Sequence, residues 1–79
     1  MLITHGPPQG ILDRTYDGRH VGSPWLTQTA ERVRPRVHAF GHIHEARGVA
    51  VRHGTTFVNA CTCDARYDPV HPPVVITLA

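Results

Sequence analysis

The chain is 79 residues long, enough for one small domain and not for two. Its formal net charge is +2, and its eight basic residues are all arginine, dispersed without a run or an aromatic-interleaved patch. That argues against dedicated nucleic-acid binding. No apolar run reaches membrane-spanning length, no secretory leader is evident, and two cysteines make no disulfide framework, so the expectation is a soluble, cytoplasmic protein with no membrane partner.

Leu2-Ile3-Thr4 reads as the end of a buried strand, running into His5-Gly6-Pro7-Pro8, where two prolines forbid its continuation. Residues 9 to 22 read as a long loop with Ile11 and Leu12 as anchors to the core. Ser23-Pro24 predicts a helix start, a hydroxyl N-cap before proline at the first helical position. Leu26, Ala30 and Val33 then fall at i, i+4 and i+7 as one apolar face, flanked by Trp25 and Thr29, and Pro35 ends the helix at or before Arg34.

Val37 to Phe40 predicts a short strand broken by Gly41. Val49 and Val51 alternate with polar neighbours, His53-Gly54 occupies a two-residue turn, and Thr55 to Val58 forms the return strand of a hairpin. A proline-rich loop, residues 68 to 73, precedes a last expected strand, residues 74 to 78. The order strand, loop, helix, strand, hairpin, loop, strand predicts an α/β, mixed α+β, architecture. One helix cannot cover both faces of such a sheet, so apolar surface is expected to remain exposed.

Seven histidines are the unusual count, and imidazole is the commonest metal ligand. Gly41-His42-Ile43-His44-Glu45 places two histidines at i and i+2 just after a strand, with glycine allowing a close turn. Thr4-His5-Gly6 repeats that arrangement: an apolar strand, then histidine beside glycine at its exit. Two such exits can converge at one sheet edge, the place where α/β proteins hold ligands. Cys61-x-Cys63 lacks the gap of structural zinc ligands and reads as a pair of small buried thiols. His38 reads as a histidine packed within a strand, and His20, His53 and His71 as loop residues.

In order and spacing these phrases resemble the calcineurin-like metallophosphoesterases, in which a lone histidine at a strand end precedes a Gly-His-x-His. His5 matches the first motif, and Gly41-His42-Ile43-His44 the second. The wording is similar to the metallophosphoesterase-domain-containing branch: Thr4-His5-Gly6-Pro7-Pro8, then Arg34-Pro35 before the strand into Gly41-His42-Ile43-His44-Glu45, then Thr56-Phe57-Val58-Asn59-Ala60 and Val70-His71-Pro72-Pro73. The resemblance covers essentially the whole chain and implies that residues 1–79 are the C-terminal part of a four-layer αββα sandwich. It implies hydrolysis of phosphomonoesters or phosphodiesters, a nucleotide being one such substrate, by a hydroxide bridging two divalent metals. Mn, Fe, Zn and Mg are not distinguished by the ligand types.

By the same resemblance, His5 and His42 ligate one metal and His44 the other. The family's Asp-x-His, Gly-Asp and Gly-Asn-His motifs do not occur in these 79 residues. Met1 falls within what should be a sheet strand, so truncation, an internal start codon or a split gene is the expectation, with a missing N-terminal half or a homo-oligomeric partner completing the site. An inactive fragment, or a small metal-binding or interaction protein, is the alternative. Of the remaining polar residues, Glu45 is a candidate to orient a ligand histidine. Asp13 and Arg14 are candidates to face substrate phosphate. Asn59, at a strand end, is a candidate beside the site, with turn-capping as the favoured role.

Overall fold

The structure is a computed structural model that describes residues 1–61, 69, 71, 74 and 75. Its elements are β1 (Leu2–Ile3), α1 (Pro24–Val33), β2 (Val37–Phe40), a one-turn 3-10 helix (His44–Ala46), β3 (Gly48–Arg52) and β4 (Thr55–Asn59). The helix, β2 and the hairpin strands stand where the sequence places them; the 3-10 turn is not among the predicted elements, and β1, expected to be buried, leaves Ile3 72% exposed. Cys63 and most of the expected last strand lie outside the described residues.

The helix begins as its capping residues dictate. Ser23 has extended backbone, and its hydroxyl accepts the Leu26 N–H at 3.2 Å, satisfying one of the donors that a helix start leaves open. Arg34 ends it in the left-handed region at φ 50°, its N–H donating to the Ala30 carbonyl. Pro35 then forbids another turn. Of the predicted apolar face only Ala30 is buried, with Leu26 half-buried and Val33 exposed. The hairpin turn forms as expected, with His53 at φ 51° and Gly54 at φ 81°, the two positive values that a type I′ connection needs.

The four strands form one sheet in the order β1-β2-β4-β3. β1, β2 and β4 run parallel, and β3 pairs antiparallel with β4. The three parallel strands therefore end at the same edge, delivering Thr4-His5, Gly41-His42 and Ala60-Cys61 side by side. Mixed α+β structure with one α-helix among the described residues is compatible with part of a layered α/β sandwich.

Register assigns the two faces, because side chains alternate along each strand. On the helix side, Phe40 and Phe57 pack with Ala30 of α1 and with Ile11 and Leu12 of the long loop. His38, Thr55 and Asn59 are buried on that same face. The opposite face carries Ile3, Ala39, Val37, Val58, Thr56, Val49 and Val51. Val37 and Val58 in its centre are buried, but Ile3, Val49 and Val51 are 72%, 55% and 69% exposed. Exposed apolar surface on a sheet with one helix is thus observed, and it is confined to the outer strands.

Candidate metal-binding edge

The His5 turn is tied to its neighbour by backbone. Thr4 N–H donates to the Ala39 carbonyl at 3.0 Å, and Gly41 N–H donates to the His5 carbonyl at 3.1 Å. The first bond extends the β1–β2 ladder by one residue, and the second crosses between the two turns themselves. Across this join the rings of His5 and His42 lie 4.6 Å apart by centroid, inclined at 41°. Both residues are exposed. The convergence of two histidine-bearing strand exits is therefore present in the structure.

His42 holds φ 70°, in the left-handed region, where a Cβ crowds the backbone. A residue with that strain is held there by its surroundings. What holds it is a buried side chain on the next strand. Asn59 Nδ2 donates to the Ile43 carbonyl at 2.8 Å and to the Leu12 carbonyl at 3.2 Å. Its Oδ1 accepts the Cys61 N–H at 3.2 Å, the turn-capping contact expected of it. One solvent-inaccessible amide thus joins the turn between His42 and His44, the long loop and the exit of β4. Leu12 has positive φ as well, at 52°, so Asn59 braces two strained positions.

His44 opens the 3-10 turn and is half-buried. Among the described residues, no group of three or more His, Cys, Asp or Glu side chains is gathered closely enough to hold a metal ion. The structure brings together His5 and His42, therefore, and does not add His44 to them.

Asp13 departs from its expected role. It is solvent-inaccessible, and its oxygens are taken by the loop: Oδ2 accepts the N–H groups of Gly10 and Gly22, each at 2.9 Å, and Oδ1 meets His20 Nδ1 at 2.6 Å. Burial pushes the carboxyl upward, but the His20 bond, the two amides and the His20 charge outweigh it and hold the group below its ordinary value. Asp13 is the lock of the loop and is not turned towards a substrate. The same loop contains a steric constraint, since a Cβ on Gly22 would lie 2.5 Å from the carbonyl carbon and oxygen of Pro8.

Glu45, too, serves the loop, with Oε2 accepting the Tyr16 N–H at 3.3 Å. Arg14 is exposed, its guanidinium lying close to Gly18. The Asp13–His20 pair was hidden from sequence reading, because an acid and a histidine seven residues apart in a loop carry no periodic signal. A hollow of about 100 Å³ between the helix, the loop and the hairpin turn, bordered by Ile11, Ala30, Arg52 and Phe57, holds none of His5, His42 and His44.

A mixed sheet presenting paired histidines from adjacent parallel strand ends defines the class: an α/β chain with imidazole donors at the strand exits. Comparison with known proteins gives the family. The chain is 51% identical over 80 residues to metallophosphoesterase domain-containing protein 1 of Homo sapiens, and equally to that of Mus musculus. It is 39% identical over 79 residues to the UPF0046 protein T07D4.2 of Caenorhabditis elegans. Each match takes in 99% of this chain, but only 24% of the two mammalian proteins and 20% of the nematode one. No family model matches the chain. The chain belongs to the metallophosphoesterase-domain family, as a segment consistent with the C-terminal portion of such a protein, and spans about a quarter of the length of the curated relatives it matches. Among the described residues no helix is long and apolar enough to cross a membrane.

Proposed function

We propose that this chain supplies histidine ligands to a divalent-metal centre that hydrolyses phosphodiesters or phosphomonoesters, nucleotides among them. The observation that carries the reading is the His5–His42 approach, with ring centroids 4.6 Å apart on turns joined by the Gly41–His5 backbone bond. Two imidazoles fixed on adjacent turns suit a divalent ion, and the ligand types do not distinguish Mn, Fe, Zn and Mg. A catalytic centre needs at least three protein ligands. In this reading His44 serves a neighbouring ion, and carboxylate donors come from outside these 79 residues, either from an N-terminal portion of the family's domain or from a second copy of the chain. When bound, such ions polarise phosphoryl oxygens and activate water for in-line attack.

The chain's own contribution is positional. The parallel strands hold His5 and His42 at a solvent-facing edge, and the Asn59 amide keeps the His42–His44 turn in its strained form. Arg14, exposed on the loop that follows His5, is available to pair with a phosphate oxygen.

The test is Mn²⁺-dependent hydrolysis of bis-p-nitrophenyl phosphate by the purified chain, paired with calorimetric titration of Mn²⁺. Turnover that His42→Ala abolishes supports the reading. Mn²⁺ affinity unchanged in His5→Ala, His42→Ala and His44→Ala overturns the site. A second reading, a metal-binding chain without catalysis, is favoured by the lack of a three-donor cluster among the described residues. Binding that depends on His5 and His42 with no turnover selects it.

A further inference from the structure

His38 is buried completely, in the middle of β2, with Phe40 edge-on at 5.2 Å and Phe57 at 5.6 Å between ring centroids. An aliphatic side chain would fill such a space without burying a polar ring. What distinguishes the histidine is one contact: Nε2 lies 2.9 Å from Thr4 Oγ1. Thr4 Oγ1 has a single proton and lies 2.8 Å from the Gly6 carbonyl, to which it donates. Towards His38 the hydroxyl can therefore only accept, so Nε2 carries the hydrogen and Nδ1 the lone pair. Nδ1 is buried and has no hydrogen-bond partner among the described residues, which is the tautomer's cost.

We infer that His38 is a positioning residue that sets the His5 turn through Thr4. The relay runs from His38 Nε2–H to Thr4 Oγ1 and on to the carbonyl of Gly6. It thus grips the backbone on both sides of His5, one residue before and one after. The His5 carbonyl, in the middle, accepts from Gly41 and so couples the relay to the His42 turn. This use of His38 rests on reading His5 as a metal ligand. It assigns to the helix side of the sheet two braces, His38 beneath the first turn and Asn59 beneath the second.

Three measurements on the full 79-residue chain test the relay. Long-range ¹H–¹⁵N spectra read the His38 tautomer directly, and the expected form is Nε2–H. Hydrogen exchange of the Gly41 amide reads the join between the turns, and Thr4→Val should speed it while Thr4→Ser leaves it at the parent rate. Calorimetry with Mn²⁺ should show affinity lowered about tenfold in both Thr4→Val and His38→Leu, and restored in Thr4→Ser, in line with outer partners of ligating histidines. Thermal unfolding separates this from a general loss of fold, since the serine rescue must restore affinity at an unchanged midpoint.

Parent-like affinity in both Thr4→Val and His38→Leu, or an Nδ1–H tautomer, overturns the inference while leaving the metal site intact. If the parent chain shows no Mn²⁺ affinity that His5→Ala, His42→Ala or His44→Ala alters, the proposed function falls instead. The relay is then judged by the exchange rate alone, and protection of Gly41 unchanged in Thr4→Val refutes it.

Discussion

The two faces of the sheet differ in what they bury. The helix side buries polar side chains, His38, Thr55 and Asn59, beside Phe40 and Phe57, and the long loop lies over it. The other face has only apolar or small side chains and Thr56, yet leaves Ile3, Val49 and Val51 in solvent. Ordinary partitioning puts polar groups outside and large aliphatic ones inside. The helix side thus combines the aromatic core with buried polar groups, and hydrogen bonds of His38 and Asn59 reach the two turns from it. The opposite side carries apolar surface whose burial does not come from the described residues.

The sharpest way to break that contrast is at Gly22. An alanine there puts its Cβ into the backbone of Pro8 at 2.5 Å, with no flexible side chain to give way. The loop must then lift from the helix side, losing the Gly22–Asp13 and Ser23–Pro7 bonds. The expected loss is about 4 kcal/mol, most of the stability of a domain this small, read as a collapse of the denaturation midpoint. Next comes Asn59→Leu, which keeps the branched outline and removes the amide. Two carbonyls and one N–H lose their partner, for an expected loss of about 2–4 kcal/mol in chemical denaturation. A cost below about 1 kcal/mol would mean that the amide does not brace the turns.

Acid separates the two faces, because among the described residues the buried titrating groups, His38 and Asp13, lie on the helix side or in the loop over it. Burial lowers the His38 imidazole below its ordinary value of 6.5. As pH falls through 6.5 the unfolded chain takes up that proton first, so stability declines below about pH 6.5 and levels once the folded histidine titrates. Asp13 is also depressed, from 3.8, so its contribution is present above that value and is lost as pH falls further. Metal-free stability should thus rise with pH through both windows. His38→Leu should flatten the upper limb and Asp13→Asn the lower, each measured as the difference from the parent, and a parent-like slope in either variant breaks the assignment.

Much of the fold was readable in the sequence because its signals are local. Ser23-Pro24, Pro35, Gly41 and His53-Gly54 each dictate backbone on the spot, and the strand edges followed. Convergence of His5 and His42 was also legible, since both motifs place histidine just past an apolar strand. The roles of Asp13 and His38 were not. Asp13 bonds to residues three, seven and nine positions away around a closed loop, and His38 reaches Thr4 across 34 positions. Alternation marked His38 as packed, which it is, but nothing in a strand of four residues reveals a hydroxyl on the neighbouring strand. Val33 misled in the other direction: its helical spacing is right, but the one-sided packing stops at Ala30.

A smaller effect concerns the strain at His42. Glycine accepts φ 70° without a clash, so His42→Gly should be more stable than His42→Ala by about 1 kcal/mol, though both delete the imidazole. Equal stabilities would show that the turn relaxes once the ring is gone, and that Asn59 does not enforce its shape.

The smallest effects belong to the uncovered face, where they are the most telling. Val49 pairs with Val58 across the hairpin, on the same face of the sheet, yet the first is exposed and the second buried. Threonine matches valine in shape and in strand preference, so replacing either valine changes little except hydration. At Val49 and Val51 the expected change is within about 0.5 kcal/mol, because water already reaches them. At Val58 the hydroxyl enters a dry site and should cost about 1–3 kcal/mol unless it finds an acceptor. A cost at Val49 as large as at Val58 would show that the outer strands are covered in solution, and the two faces would then differ in chemistry alone and not in burial.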